Sequence, residues 1–272
     1  MKRVFAFSGL AAVIMLAAVP AYAIPASPWT GFYAGATAGL GGGSWAGNLT
    51  SYNPMALITD AFPNGGYINR TINGYGWLGG AEVGFNKQMS GFVWGIEGDV
   101  SASGVSGSGI FTTRDFGGGM INGVNYAQQV FEKHIQTNLD WLGTVRVRAG
   151  VLVNPGTLIY GTGGVAFAGT SSHQDVYFNG ANQPIGLNYS GSDSSTQVGW
   201  TIGLGLEQKL SSHWSLKAEY LYADLGSATY RYYGTYTGYP YGGGPSADSS
   251  DGYNPHLTVN AVRVGFNYAF GG

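Results

Sequence analysis

The sequence predicts an all-β fold, an eight-stranded antiparallel up-and-down transmembrane β-barrel with short turns at one end and four long loops at the other. Three observations carry this. Glycine supplies 48 of 272 residues and charged residues only 10%, where an ordinary soluble domain has about 25% charged; such a composition disfavours long helices. The chain is 44% hydrophobic and 14% aromatic, too apolar to stay disordered. Period-2 alternation also recurs in eight segments whose connections alternate strictly between short and long. A formal net charge of −2 provides no basic field for nucleic acid, and the lack of cysteine leaves pairing and packing to hold the fold.

The elements follow in order. Lys2 and Arg3 precede an apolar run from Val4 to Val19, then Pro20 and the small-residue site Ala21-Tyr22-Ala23. This pattern predicts a cleaved export signal over residues 1–23, then a short periplasmic segment over 24–30 and a barrel over 31–272. The expected strands are Gly31–Gly43, Gly76–Gln88, Gly91–Ser101, Gln136–Val153, Thr157–Ala168, Gln197–Leu210, His213–Leu225 and Thr258–Phe270. All reach the roughly 9–11 residues that cross a bilayer at a tilt. Tight turns are expected at 88–91, 154–156 and 211–212, and long polar loops near 44–75, 102–135, 169–196 and 226–257. Extra hairpin strands within 102–135 remain an open alternative. Short turns at one end and long loops at the other match a barrel with periplasmic turns and extracellular loops.

Which face meets lipid follows from charge. An Arg on the lipid side near the midplane costs roughly 2–4 kcal/mol. Odd separations in a strand place side chains on opposite faces. Trp77, Trp141 and Trp200 therefore face out, each at the start of a strand that follows a long loop. The acids Glu82, Glu97, Asp99, Asp140, Glu207 and Glu219 and the bases Arg146, Arg148, Lys217 and Arg263 face in. The first and fifth strands, full of Gly and Ala, leave their register open. Eight strands enclose a space just wide enough for side chains, so these ten residues are expected to pair into a closed plug. A narrow or gated pore for small solutes is the alternative. Phe32, Phe92, Trp214, Tyr268 and Phe270 form the second of two aromatic girdles.

Catalytic and metal patterns are absent from the sequence: His134, His173, His213 and His256 share no ligand spacing and read as surface residues. No cofactor and no enzyme activity are expected. Tyr230, Tyr232, Tyr233 and Tyr236 crowd the last long loop beside Arg231. They are candidate contacts for a ligand, because Tyr offers large contact area at low entropy cost; the alternative is a hairpin continuing the strands above the membrane.

Trp29-Thr30-Gly31-Phe32-Tyr33-Ala34-Gly35 resembles the entry strand of the small outer-membrane β-barrel family of Gram-negative bacteria. That family includes 25/31-kilodalton-type outer-membrane proteins and opacity-type surface antigens, and the segment from Val262 to Phe270 resembles its closing strand. The resemblance implies residence in the outer membrane, with membrane lipid and the outer-membrane assembly machinery as partners. It implies that Tyr268 and Phe270 act as the assembly signal, although Gly271-Gly272 follow the aromatic here. It also implies a structural and surface-antigen role, with adhesion or hemin capture through the loops as further readings.

Overall fold

A computed structural model describes residues 29–52, 68–115, 119–121, 124–126, 129–179, 186–235 and 248–270. The expected export signal, residues 24–28, Tyr236 and Gly271-Gly272 lie outside these. The strands are β1 (Gly31–Tyr52), β2 (Ile68–Met89), β3 (Phe92–Asp115), β4 (Gly119–Ile121), β5 (Val124–Tyr126), β6 (Gln129–Asn154), β7 (Thr157–Asn179), β8 (Gly186–Lys209), β9 (Trp214–Ser227), β10 (Tyr230–Thr235) and β11 (Asp248–Ala269).

Every ladder of the ring is antiparallel, in the order β1-β2-β3-β6-β7-β8-β9-β11. It closes where β11 pairs with β1, from Tyr33↔Ala269 to Tyr52↔Ser250. β9 and β10 are two lengths of one barrel strand, since both pair with β11; this makes eight staves. β4 and β5 form a small separate hairpin between β3 and β6, the extra pairing left open for residues 102–135. At the turn end, Ser90 takes a left-handed φ of 58°, as a two-residue hairpin between Met89 and Phe92 requires.

The strands are longer than the alternation alone predicts. β1 runs to Tyr52 rather than Gly43, and β6 begins at Gln129 rather than Gln136. At about 3.3 Å per residue and a tilt near 40°, 22–26 residues rise about 55–65 Å, against an apolar band of about 25 Å. Much of the sequence expected as loop is therefore wall above the membrane. Hydroxyl and amide side chains on its outer face hid the period, because the inward partners there are often glycine.

The apolar band lies where the alternation puts it. Trp77, Trp94, Val100, Val147, Ile202, Leu204 and Val264 are exposed on the outer surface. At the turn end Trp214 stacks on Phe266 with centroids 4.6 Å apart, and Phe32 meets Phe85 at 4.9 Å. The register of the two open strands is settled: β1 turns Tyr33, Thr37 and Trp45 inward, and β7 turns Leu158, Tyr160 and Thr162 inward.

Candidate functional site: a three-tier barrel interior

The middle tier of the interior is a network of buried charge. Glu82, Glu97, Asp99, Arg146, Arg148, Glu207, Lys217, Glu219 and Arg263 are all buried inside the ring. Ionised groups in such a place must be paired and hydrogen-bonded, and they are. Arg146 forks onto Glu219 at 2.7 and 3.0 Å and reaches Asp99 at 3.1 Å as well as Glu97. Arg263 joins Asp99 at 2.7 Å to Glu219 at 3.1 Å. Lys217 lies 2.5 Å from Glu82 and 3.0 Å from Glu97. Arg148 donates to Glu207 at 2.6 Å and lies over the Tyr160 ring, 4.0 Å from its centroid.

Neutral groups complete the tier. Tyr33 donates to Glu97 at 2.6 Å and accepts from Arg148 at 3.1 Å. Ser215 donates to Glu207 at 2.6 Å, and Thr144 donates to Asp99. Two large rings fit because their opposite positions are glycine. A Cβ added at Gly84 would fall on the Tyr33 ring, and one at Gly205 on the Tyr160 ring. Parity on β1 and β7 would have found both tyrosines once those registers were set.

Asp140 is the exception among the ten expected lumen residues. It is exposed on the outer wall, where it accepts a hydrogen bond from Ser171 at 3.0 Å. A β-bulge between Leu139 and Trp141 inserts it into the ladder as an extra residue. One extra residue reverses the alternation, so Asp140 and Trp141 both face out.

Apolar tiers lie below and above the charges. At the turn end Trp29, Val93, Leu158 and Tyr160 pack together, and Trp29 donates through Nε1 to the Pro155 carbonyl at 3.2 Å. Trp29 thus floors the barrel; the aromatic-girdle reading had no place for it. Above the charges a larger apolar cluster contains Trp45, Leu49, Ile72, Val105, Ile135, Leu139, Val176, Leu225 and Leu257.

Tyr230 and Tyr232 belong to this upper tier: β10 and β11 form the strand-continuing hairpin that is the alternative reading of this segment, and the two candidate ligand contacts face the interior instead. Both are fully buried. Tyr230 donates to Thr170 at 2.6 Å, and the Tyr232 hydroxyl lies 2.6 Å from that of Ser172. Gly226, with φ +68°, kinks the strand, and the alternation reverses across Ser227 and Ala228, turning these tyrosines inward. Tyr233 shares β10 with them. Burial pushes the phenols of Tyr230 and Tyr253 above their usual range; Tyr253 donates to the Trp45 carbonyl at 2.9 Å.

His134, His173 and His256 sit on strands rather than in loops, and His213 lies at the tight turn before β9. His173 faces Asp175 at 3.2 Å, His256 faces Asp224 at 2.9 Å, and His134 lies 3.7 Å from Glu132, all on the outer wall. His213 stacks on Tyr268 at the turn end. Among the described residues no group of three or more His, Cys, Asp or Glu side chains could hold a metal ion. Tyr268 and Phe270 lie edge to face at 5.4 Å, and the Phe270 N–H donates to the Phe32 carbonyl at 2.9 Å, fastening the last strand to the first.

Comparison with known proteins agrees with this architecture. The 31 kDa outer-membrane immunogenic protein of Brucella melitensis is 30% identical over 98% of this chain and 95% of its own length. The 22 kDa outer membrane protein of Rhizobium leguminosarum bv. viciae is 26% identical over 76% of this chain and 69% of its own. Among solved structures, OprG from Pseudomonas aeruginosa is 12% identical, covers 91% of this chain and 99% of its own, and has a TM-score of 0.44. The outer membrane protein beta-barrel domain family matches residues 9–270, and the chain belongs to that family.

Proposed function

We propose that this outer-membrane barrel is a closed pillar with a structural and surface-interaction role: it adds to envelope integrity and holds its extracellular connections up as antigenic and adhesive surface. The observation that supports this most directly is the filled interior. The Trp29 floor, the charge network and the upper apolar cluster follow one another along the axis. The immunogenic naming of the 31 kDa relative agrees with surface display.

Planar-bilayer conductance tests the reading. Purified protein is expected to give no steady channel; reproducible unitary currents that change on Arg146→Gln would overturn it in favour of a solute pore. The reading includes an export signal cut after Ala23, checked by the mass of the mature protein. It also includes recognition of Tyr268 and Phe270 by the assembly machinery, checked by membrane insertion of a Phe270→Ser variant.

A further inference from the structure

The outer wall above the membrane carries an ordered patch that neither the closed lumen nor the loops account for. On β6, β7 and β8 the ladder sets Gln136 beside His173 and His173 beside Ser192. Two residues lower it sets Asn138 beside Ser171 and Ser171 beside Ser194. All six are half-buried or exposed on the outer face. With strands about 4.8 Å apart and about 6.8 Å between the rows, the patch measures roughly 10 by 7 Å, about the footprint of a disaccharide.

Its chemistry is specific. The six side chains are amides, hydroxyls and one imidazole, and none carries a fixed charge. They are mutually ordered: Gln136 donates to Asn138 at 3.3 Å, Asn138 donates to Ser171 at 3.4 Å, and His173 Nδ1 lies 2.8 Å from the Ser192 hydroxyl. Each amide and hydroxyl still has donor or acceptor capacity left. Immediately below, the Trp141 indole lies over Gly169, in the space a side chain there would fill. The ring is thus laid against the wall.

Phosphate is disfavoured, because no Lys or Arg lies in the patch while the acids Asp140 and Asp175 border it below and above. Sugars match: their hydroxyls both donate and accept, and their C–H faces lie well on an indole. The patch is also continuous with the lipid-facing band through Trp141, Phe167 and Val198.

We infer that this patch of β6, β7 and β8 docks the neutral oligosaccharide of glycolipids in the outer leaflet around the barrel. The inference is independent of whether the lumen conducts.

The test uses the full protein in three vesicle compositions: phospholipid alone, phospholipid with oligosaccharide-bearing glycolipid, and phospholipid with the same glycolipid stripped to its phosphorylated acylated disaccharide. Wild type is compared with an Asn138→Glu/Ser194→Glu double variant and with Asn48→Glu on β1 as a control. The oligosaccharide-bearing vesicles are expected to raise the thermal midpoint of wild type and control. The double variant should need about ten-fold more glycolipid for the same rise, as for the loss of one or two hydrogen bonds. An equal rise with the stripped glycolipid, or an unchanged response of the double variant, overturns the inference. Amide exchange of wild type supplies a readout that needs no variant. Oligosaccharide should slow exchange on β6, β7 and β8 above Trp141, and unchanged exchange there also overturns the inference.

Discussion

Replacing Arg146 with alanine tests whether the charge tier holds the barrel together. Its guanidinium is fully buried and makes charge-assisted hydrogen bonds to three carboxylates, those of Glu219, Asp99 and Glu97. Bonds to charged groups are worth about 1.5–3 kcal/mol each, but the loss is not their sum, because the other cations stay. Asp99 and Glu219 keep Arg263, and Glu97 keeps Lys217 and Arg148. Breaking one partner out of a buried ion pair costs roughly 3–5 kcal/mol, most of it from carboxylate left without compensation. The expected loss for Arg146→Ala is therefore about 3–5 kcal/mol. Arg146→Lys keeps the charge but not the fork, so it should lose about 1.5–3 kcal/mol, the worth of one charged bond. The assay is urea unfolding from phospholipid vesicles, followed by tryptophan emission and by the gel shift between folded and unfolded barrel. A loss below about 1 kcal/mol for Arg146→Ala, the size of an exposed pair, would refute the reasoning. It would mean that water reaches these groups and that the tier is not a dry plug.

Other expectations rest on separate features. Tyr253→Phe should cost about 1 kcal/mol by removing the bond to the Trp45 carbonyl. Because burial raises the phenols of Tyr230 and Tyr253, the folded state keeps protons that the unfolded chain sheds near pH 10. Their contribution is thus full below about pH 10 and lost as pH rises through the folded values. Urea midpoints at pH 8 and 11 should fall less in the Phe variant, and an equal fall would discount the buried phenol. At the tight turn, Ser90→Val should destabilise by about 1–2 kcal/mol because φ is 58° there, and a neutral result would remove the left-handed turn. Protease added to intact cells should cut only in the connections β1–β2, β3–β6, β7–β8 and β10–β11; a cut at Pro155-Gly156 would invert the orientation.

The membrane-crossing half of the fold was legible because lipid imposes one rule on every strand. Placing Arg146 and Arg148 inward fixes β6, and the same penalty orders Glu82, Glu97, Asp99, Glu207, Lys217, Glu219 and Arg263 on their own strands. The structure places these nine together in one network. Above the girdle that rule lapses. An outward Ser194 and an inward Gly191 carry little hydropathy contrast, so period-2 reading stops before the strands do. Trp29 escaped for a different reason: a lone aromatic ahead of a strand carries no period, and only the closed ring shows that it has a floor to fill.

The two misplacements share a cause, and it bears on how the barrel works. Asp140 sits at the bulge of β6, and Tyr230 and Tyr232 lie beyond the reversal between β9 and β10. β3 is irregular between Ala102 and Val105, facing Trp141 and Leu139, and β11 between His256 and Thr258, facing Ser227 and Asp224. These breaks lie in two pairs of neighbouring strands, β3 with β6 and β9 with β11, just above the tryptophan girdle; the β1–β2 and β7–β8 ladders pass that height without a shift. Bulges re-aim side chains and increase local twist. On β6 and across β9 and β10 they re-aim the wall at the height where its two faces exchange character. Below it the outer face is apolar and the inner face charged; above it the outer face is polar and the inner face apolar. β2 makes the same exchange with unbroken alternation, Ile72, Leu78 and Glu82 sharing its inner face, so the reversal is a local device of β6 and of β9 with β10, where the residues above the break sit on the other parity. Deleting Asp140 should therefore be tolerated: Leu139, which faces in, then follows the outward Trp141 in regular alternation, so Ile135 and Leu139 keep facing the apolar core and Gln136 and Asn138 the outer wall. Amide protection should persist in both the upper wall and the membrane band; loss of protection in the upper wall alone would show that Asp140 does more than re-aim the strand.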